Sequence, residues 1–149
     1  MGRLSIAILL VVVLLTSGII TGCGIFGPPA SQLPFDEGDE LYRQGRLEEA
    51  IDKYTEAIRI EPRWEEPYCK RGTAYYDLGQ FDLAIKDFNE AIRLDPWGEE
   101  GYYGRGFVYK EQGRIAEAIA DFEKVTGWTN TTNPQMREIA EQQIEELSR

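Results

Sequence analysis

The chain has 149 residues, enough for a single domain, and its 16 Lys and Arg against 26 Asp and Glu give a formal net charge of −10. This acidic balance disfavours binding to nucleic acid and to anionic lipid headgroups, which are themselves negatively charged. There is no histidine and there are only two cysteines, so imidazole-dependent triads, histidine zinc sites and a multi-disulfide framework are excluded. We therefore expect no enzymatic activity, no catalytic residue, no metal and no cofactor.

Residues 1–22 have the composition of an export signal. Arg3 precedes an uncharged apolar run at 4–20, slightly too short for an ordinary membrane span. The tetrapeptide that follows, ITGC at 20–23, resembles the lipobox of bacterial lipoproteins. That resemblance implies that residues 1–22 are removed and that Cys23 is lipidated. The protein is then expected outside the cytoplasm, anchored by fatty acyl chains such as palmitate, with inner or outer membrane left open. An uncleaved signal anchor is the alternative.

Residues 23–34 are predicted to be a tether. After Cys23 they hold two Gly, three Pro and no charge (GIFGPPASQLP). Eleven residues span at most about 35 Å, so the folded domain, expected over 35–149, should stay close to the membrane surface.

The remaining sequence repeats with a period of 34 residues. Small and aromatic residues share columns without a gap: Gly38, Gly72 and Gly106; Gly45, Gly79 and Gly113; Ala50, Ala84 and Ala118; Tyr54, Phe88 and Phe122. Apolar residues within each unit follow helical spacing. The pattern predicts helices at 35–44, 47–60, 66–78, 81–94, 100–112 and 115–126. Glycine joins the helices of a pair, and Pro62 and Pro96 end the second helices.

These columns resemble the tetratricopeptide repeat (TPR) family, most completely in the middle unit. The matching residues there are Tyr68, Gly72, Tyr75, Gly79, Phe81, Ala84, Phe88, Ala91 and Pro96. The resemblance implies an all-α fold, a right-handed α-solenoid of three helix pairs (repeats 31–64, 65–98 and 99–132) plus a C-terminal capping helix. Repeat one departs from the pattern, with Pro34 and Glu37 at the Tyr and Arg positions, and its first helix is expected to start near Pro34.

Residues 133–149 are predicted to form that capping helix, because Asn133-Pro134 is a typical helix start. One face is apolar and the other almost wholly polar, as the end of a solenoid requires. The residues expected to face inward are Met136, Ile139, Ala140, Ile144 and Leu147.

In TPR arrays the first helices of successive repeats line a concave groove, which implies a protein or peptide partner. The groove residues predicted to contact it are Phe35, Asp39, Tyr42, Lys70, Thr73, Tyr76, Tyr103, Phe107 and Lys110. Some TPR domains clamp a C-terminal carboxylate, but of the residues at those offsets only Lys70 could contact one. A peptide with apolar anchors and some basic residues is expected instead.

The predicted function is therefore a membrane-anchored scaffold or adaptor for protein–protein interaction at the bacterial cell envelope. The alternative is an envelope lipoprotein that binds a small ligand, glycan or peptide. Because three repeats are near the minimum for a stable array, self-association is left open.

Several residues allow two interpretations. Arg71 and Arg105, with Asp87 and Asp121, are interpreted as ion pairs within the array or as a polar rim for a partner. Trp64 and Trp97 either contact a partner or fold back onto the array, whereas Trp128 is expected in the core.

The acidic pairs Glu48-Glu49, Glu65-Glu66 and Glu99-Glu100 are expected to begin helices, where the helix dipole favours negative charge. Cys69 is expected to be a partly buried free thiol, with an intermolecular disulfide as the alternative.

Overall fold

A computed structural model of the protein describes residues 29–127 and 133–149. These residues form seven helices and no strand, which confirms the predicted helical solenoid. The helices are α1 (Gln32–Arg43), α2 (Leu47–Ile60), α3 (Glu66–Asp77), α4 (Phe81–Leu94), α5 (Glu99–Glu111), α6 (Ile115–Thr126) and α7 (Pro134–Leu147). Among the described residues no helix is long and apolar enough to cross a membrane. The predicted signal, Cys23 and Trp128 lie outside the described residues.

The three second helices have the predicted bounds, whereas α1 begins earlier than expected. Its first residue is Gln32 rather than residue 35, so the last three residues of the predicted tether are helical. The Gln32 backbone N–H donates to the Pro29 carbonyl at 2.8 Å, and the Ser31 hydroxyl donates to Glu61 at 2.7 Å. Pro34 then lies in the first turn, where its missing N–H removes no helical hydrogen bond.

Glycines end the first helices in the left-handed conformation, as predicted. Gly45, Gly79 and Gly113 have φ of 75°, 70° and 71°. After α1, the Arg46 N–H donates to the Leu41 carbonyl at 3.0 Å and the Gly45 N–H to the Tyr42 carbonyl at 2.9 Å. This arrangement satisfies carbonyls at the helix end and turns the chain tightly into α2.

The glycine column inside the first helices brings the two helices of a pair together. A Cβ atom on Gly38 would lie 2.7 Å from the Tyr54 ring, and one on Gly106 would lie 2.9 Å from the Phe122 ring. Both rings are fully buried. Each repeat thus places an aromatic side chain of its second helix directly against the backbone of its first helix.

The two described tryptophans of the inter-repeat turns differ. Trp64 is half-buried, and its ring centroid is 4.5 Å from that of Phe35, so it packs against repeat one. Trp97 is 77% exposed, and its backbone N–H donates to the Asp95 carboxylate at 3.0 Å. Packing therefore accounts for Trp64, whereas Trp97 presents its ring at the surface.

The capping helix α7 forms as predicted, with one correction. The Met136 N–H donates to the Asn133 side chain at 3.1 Å, and Ala140 is buried in a cluster with Phe122. Ile139, however, is 38% exposed rather than inward-facing. It occupies the column of Arg71 and Arg105, whose side chains pair with the second helix of their own repeat, whereas no helix follows α7 among the described residues.

Candidate functional site

The first helices α1, α3 and α5 line a groove with three adjoining pockets. The N-terminal pocket (about 330 Å³) is lined by Asp39, Tyr42, Arg43, Tyr54, Lys70 and Thr73. The central pocket (about 170 Å³) is lined by Thr73, Tyr76, Asp77, Phe88, Tyr103, Gly104 and Phe107. The acidic pocket (about 520 Å³) is lined by Glu65, Glu66, Cys69, Lys70, Thr73, Glu100, Tyr103, Gly104 and Met136. Thr73 borders all three, so the pockets form one continuous surface.

Most of the predicted groove residues line these pockets, namely Asp39, Tyr42, Lys70, Thr73, Tyr76, Tyr103 and Phe107. The structure brings them together on one face, while their role in partner binding stays a prediction.

Two predicted groove residues, Phe35 and Lys110, line none of these three pockets. Phe35 is only 5% exposed, because its ring packs between Tyr54 and Trp64 in the core of repeat one. The Lys110 ammonium donates to the Gln143 side chain and lies 3.1 Å from the Glu146 carboxylate, both on α7. The capping helix therefore already engages the charge that was expected to meet a partner.

Met136 and Glu65 line the groove although the sequence-based prediction omitted them. Met136 reaches the acidic pocket from α7, which continues the series of first helices as if it began a fourth repeat. Extending the 34-residue period past residue 132 would have placed α7 beside α5. The signal was thus present in the sequence.

The polar groups of the N-terminal pocket are largely satisfied by one another. Asp39 accepts a hydrogen bond from the Tyr54 hydroxyl at 2.7 Å and lies 3.6 Å from the Lys70 ammonium. The Tyr42 hydroxyl donates to Asp77 at 2.5 Å, linking α1 to α3. Burial, together with that carboxylate, raises the pKa of Tyr42 to about 12. These groups hold neighbouring first helices in register.

The acidic pocket, by contrast, has an excess of negative charge, since its lining holds three glutamates and one lysine, Lys70. No Lys or Arg within the described residues forms an ion pair with Glu65, Glu66 or Glu100, although the Lys70 charge acts on Glu66 from a distance. Burial raises the pKa of Glu66, and repulsion from nearby carboxylates adds to the effect. No group of three or more metal-ligand side chains in the described parts of the chain could hold a metal ion.

Cys69 lies at the wall of this pocket as a free, partly buried thiol, as predicted. Burial, then the nearby carboxylates of Glu100, Glu65 and Glu66, raise the pKa of Cys69 to about 12. The thiol is therefore neutral at physiological pH and is a poor nucleophile.

Behind the groove, a partly buried arginine joins three helices in each of repeats two and three. Arg71 makes a two-pronged ion pair with Asp87 at 2.7 and 2.8 Å and also donates to Thr55 of the preceding repeat. Arg105 contacts Asp121 in the same manner. We call these contacts the arginine staples. They confirm the interpretation of these residues as ion pairs within the array.

Comparison with known proteins agrees with this architecture. Family models described as TPR repeat match residues 38–79 and 72–113, and one described as tetratricopeptide repeat matches residues 99–132. The chain belongs to the tetratricopeptide repeat family. Among the curated proteins, none matches the chain significantly.

Solved TPR structures superpose over most of the chain. The Arabidopsis OM64 TPR domain is 26% identical, with a TM-score of 0.71 over 78% of this chain and 95% of that one. The first TPR of Spaghetti (RPAP3), bound to the HSP90 peptide SRMEEVD, is 25% identical with a TM-score of 0.71, covering 85% and 100% of the two chains. The TPR2B domain of yeast Sti1, in a pHsp70 complex, shares the fold at 24% identity and a TM-score of 0.75, covering 79% of this chain and 95% of that one.

Proposed function

We propose that this protein is a membrane-anchored scaffold of the bacterial cell envelope that binds a partner protein through its concave groove. The observation that supports this most directly is the continuity of the three pockets around Thr73. A groove of this kind accommodates an extended segment of a protein rather than a single compact ligand.

The related structures support a peptide as the ligand, since the RPAP3 domain is described as bound to the peptide SRMEEVD. That peptide contains three acidic residues, and the pockets in the groove of this chain are lined by Asp39, Glu66 and Glu100. Like charges disfavour such a ligand. The partner proposed here therefore differs in chemistry from the HSP90 peptide.

The proposed membrane anchor is the lipidated Cys23, in keeping with the lipobox-like sequence that precedes it. Each buried CH₂ of an acyl chain contributes about 0.8 kcal/mol, so two or three chains anchor a protein stably. Since α1 begins at Gln32, only the eight residues 24–31 separate it from Cys23, and they reach at most about 30 Å. The groove would then meet partners at or near the membrane surface.

No catalytic role is part of this proposal. The chain has no histidine, and the high pKa of Cys69 keeps its thiol protonated.

The proposal is tested by filling the groove without disturbing the core. Thr73→Phe places in repeat two the side chain that repeat three carries in the same column, at Phe107, so the helix tolerates it. Asp52→Phe adds the same ring to an exposed site on α2, away from the groove. We expect crosslinking in membranes to capture the same partner with the wild type and Asp52→Phe, and to lose it with Thr73→Phe. Capture that is unchanged by Thr73→Phe would move the interface away from the groove.

A further inference from the structure

We infer that the groove recognises a segment of its partner in which an apolar residue and a lysine or arginine are two positions apart. This inference rests on the proposed function and adds the chemistry of the ligand. It assigns the apolar side chain to the central pocket and the basic side chain to the acidic pocket.

The central pocket has the character of an apolar anchor site. Its walls are the rings of Tyr76, Phe88, Tyr103 and Phe107, and its size suits one side chain. Aromatic walls in a desolvated depression are typical of the few positions that dominate binding energy. Two of the rings support each other, since the centroids of Tyr103 and Phe107 are 5.0 Å apart.

Gly104 creates the opening between the central and acidic pockets. It occupies the column of Lys70, yet a Cβ atom at this position would lie 2.4 Å from the Phe88 ring. The glycine therefore allows α5 to approach α4 closely and leaves the groove without a side chain at this point. A ligand backbone can cross there from one pocket to the other.

The acidic pocket is complementary to a cation. On other surfaces of the protein, some glutamates pair with a nearby arginine, as Glu90 does with Arg93 at 2.6 Å and Glu117 with Arg114 at 3.0 Å. Glu66 and Glu100 have no such ion pair within the described residues, and the nearby Lys70 is engaged by Asp39. A lysine or arginine of the partner would supply the missing positive charge.

Because Thr73, Tyr103 and Gly104 border both pockets, one short segment can fill them together. In an extended chain, side chains at i and i+2 point to the same side and lie about 7 Å apart. An alternating apolar–basic pattern fits this spacing. An acidic segment would be repelled by the carboxylates of the acidic pocket. A wholly apolar segment would leave those carboxylates without a cation.

The test uses the full chain in an uncharged detergent and capped fluorescent octapeptides in a binding titration. One peptide carries Leu and Lys two positions apart, and matched peptides replace Lys by Glu, Lys by norleucine, or Leu by Ser. We expect the Leu/Lys peptide to bind most tightly and to weaken as salt rises. Replacing both carboxylates, Glu66→Gln with Glu100→Gln, should weaken it about tenfold, since an exposed ion pair is worth up to about fivefold.

The control is Glu48→Gln, which removes an exposed carboxylate at the start of α2, outside the groove. Its affinity for the Leu/Lys peptide should be unchanged, as should the affinity of the double variant for the norleucine peptide. Preference for the Glu peptide, an equal loss with Glu48→Gln, or no binding by any peptide would overturn the inference. Crosslinking with Thr73→Phe tests, independently of these peptides, whether the partner binds in the groove.

Discussion

Glu37 and Lys53 form in repeat one, with the charges exchanged, the ion pair that Arg71 and Asp87 form in repeat two. The two pairs occupy the same columns of the repeat, 34 residues apart. The departure of Glu37 from the family pattern is thus compensated by a second departure at Lys53. The pair in repeat one is also more exposed, with 36% of the Lys53 side chain accessible against 16% for Arg71.

This difference in burial predicts a difference in stability. Asp87→Ala leaves the Arg71 guanidinium without its main partner in a mostly buried site and should lower the free energy of unfolding by about 3 kcal/mol. Lys53→Ala, at the exposed pair, should cost at most about 1 kcal/mol. Urea denaturation followed by circular dichroism measures both. Adding Arg71→Ala to Asp87→Ala should recover part of the loss, and strict additivity of the two changes would contradict a coupled pair.

The turn glycines make a separate prediction about the backbone. Nothing lies within 4 Å of a Cβ atom placed on Gly79, yet its φ is 70°, so only conformational strain opposes a side chain there. Gly79→Ala should destabilise the protein by about 1–2 kcal/mol. Gly79→Asn should cost less, because asparagine tolerates the left-handed region. Equal losses for the two variants would indicate a steric rather than a conformational cause.

The two cysteines provide a matched test of the lipid anchor. Cys23→Ser should abolish incorporation of labelled palmitate and leave residues 1–22 attached, which intact-mass spectrometry detects. Cys69→Ser should be labelled and processed normally. If Cys23→Ser keeps its label, or if the wild type retains residues 1–22, the lipoprotein hypothesis is wrong and the signal-anchor alternative gains support.

The raised pKa of Cys69 predicts slow alkylation in the folded protein. Its pKa is about 12, against an ordinary value of 9.0, so little thiolate exists at pH 8. Iodoacetamide should modify Cys69 about a hundredfold or more slowly in the folded state than in urea, as followed on the Cys69 peptide by mass spectrometry. Comparable rates in the two states would contradict the burial of the thiol.

The same shift has a consequence for stability at high pH. Between pH 9 and 12 the thiol of the unfolded chain loses its proton while that of the folded chain keeps it. Unfolding then releases a proton, so stability should fall as pH rises through this range. Cys69→Ser should remove part of this fall, whereas a steeper alkaline loss in the variant would argue against the assignment. Tyr42, whose pKa is also about 12, adds to the loss in both proteins.

The repeat could be predicted because each helix pair uses the same few packing devices. The Gly38 and Tyr54 columns specify the close helix contact, and Gly45 specifies the turn, wherever they recur. The start of α1 could not be predicted in this way. It depends on the Ser31 contact with Glu61, which joins residues 30 positions apart.

The repeat columns predict which helix faces form the groove, but they do not predict where every side chain on those faces points. A column fixes where the backbone of Phe35 lies, whereas Trp64 determines that its ring turns into the core. The contact between Lys110 and α7 could not be predicted from the repeat columns, because both earlier repeats have a tyrosine in its column. The Lys110 ammonium pairs with Glu146 across the end of the groove.

Ile139 occupies the position where a third arginine staple would be, so the last helix lacks the ion pair that joins the helices of repeats two and three. An isoleucine cannot pair with a carboxylate, and the contacts described for α7 include apolar packing against Phe122 and the hydrogen bond and ion pair of Lys110. Among the described helices beyond repeat one, α7 is the helix that contributes no residue to an arginine–aspartate ion pair. Since Met136 belongs to α7, the last helix also supplies part of the wall of the acidic pocket, and the shape of that pocket depends on how α7 docks.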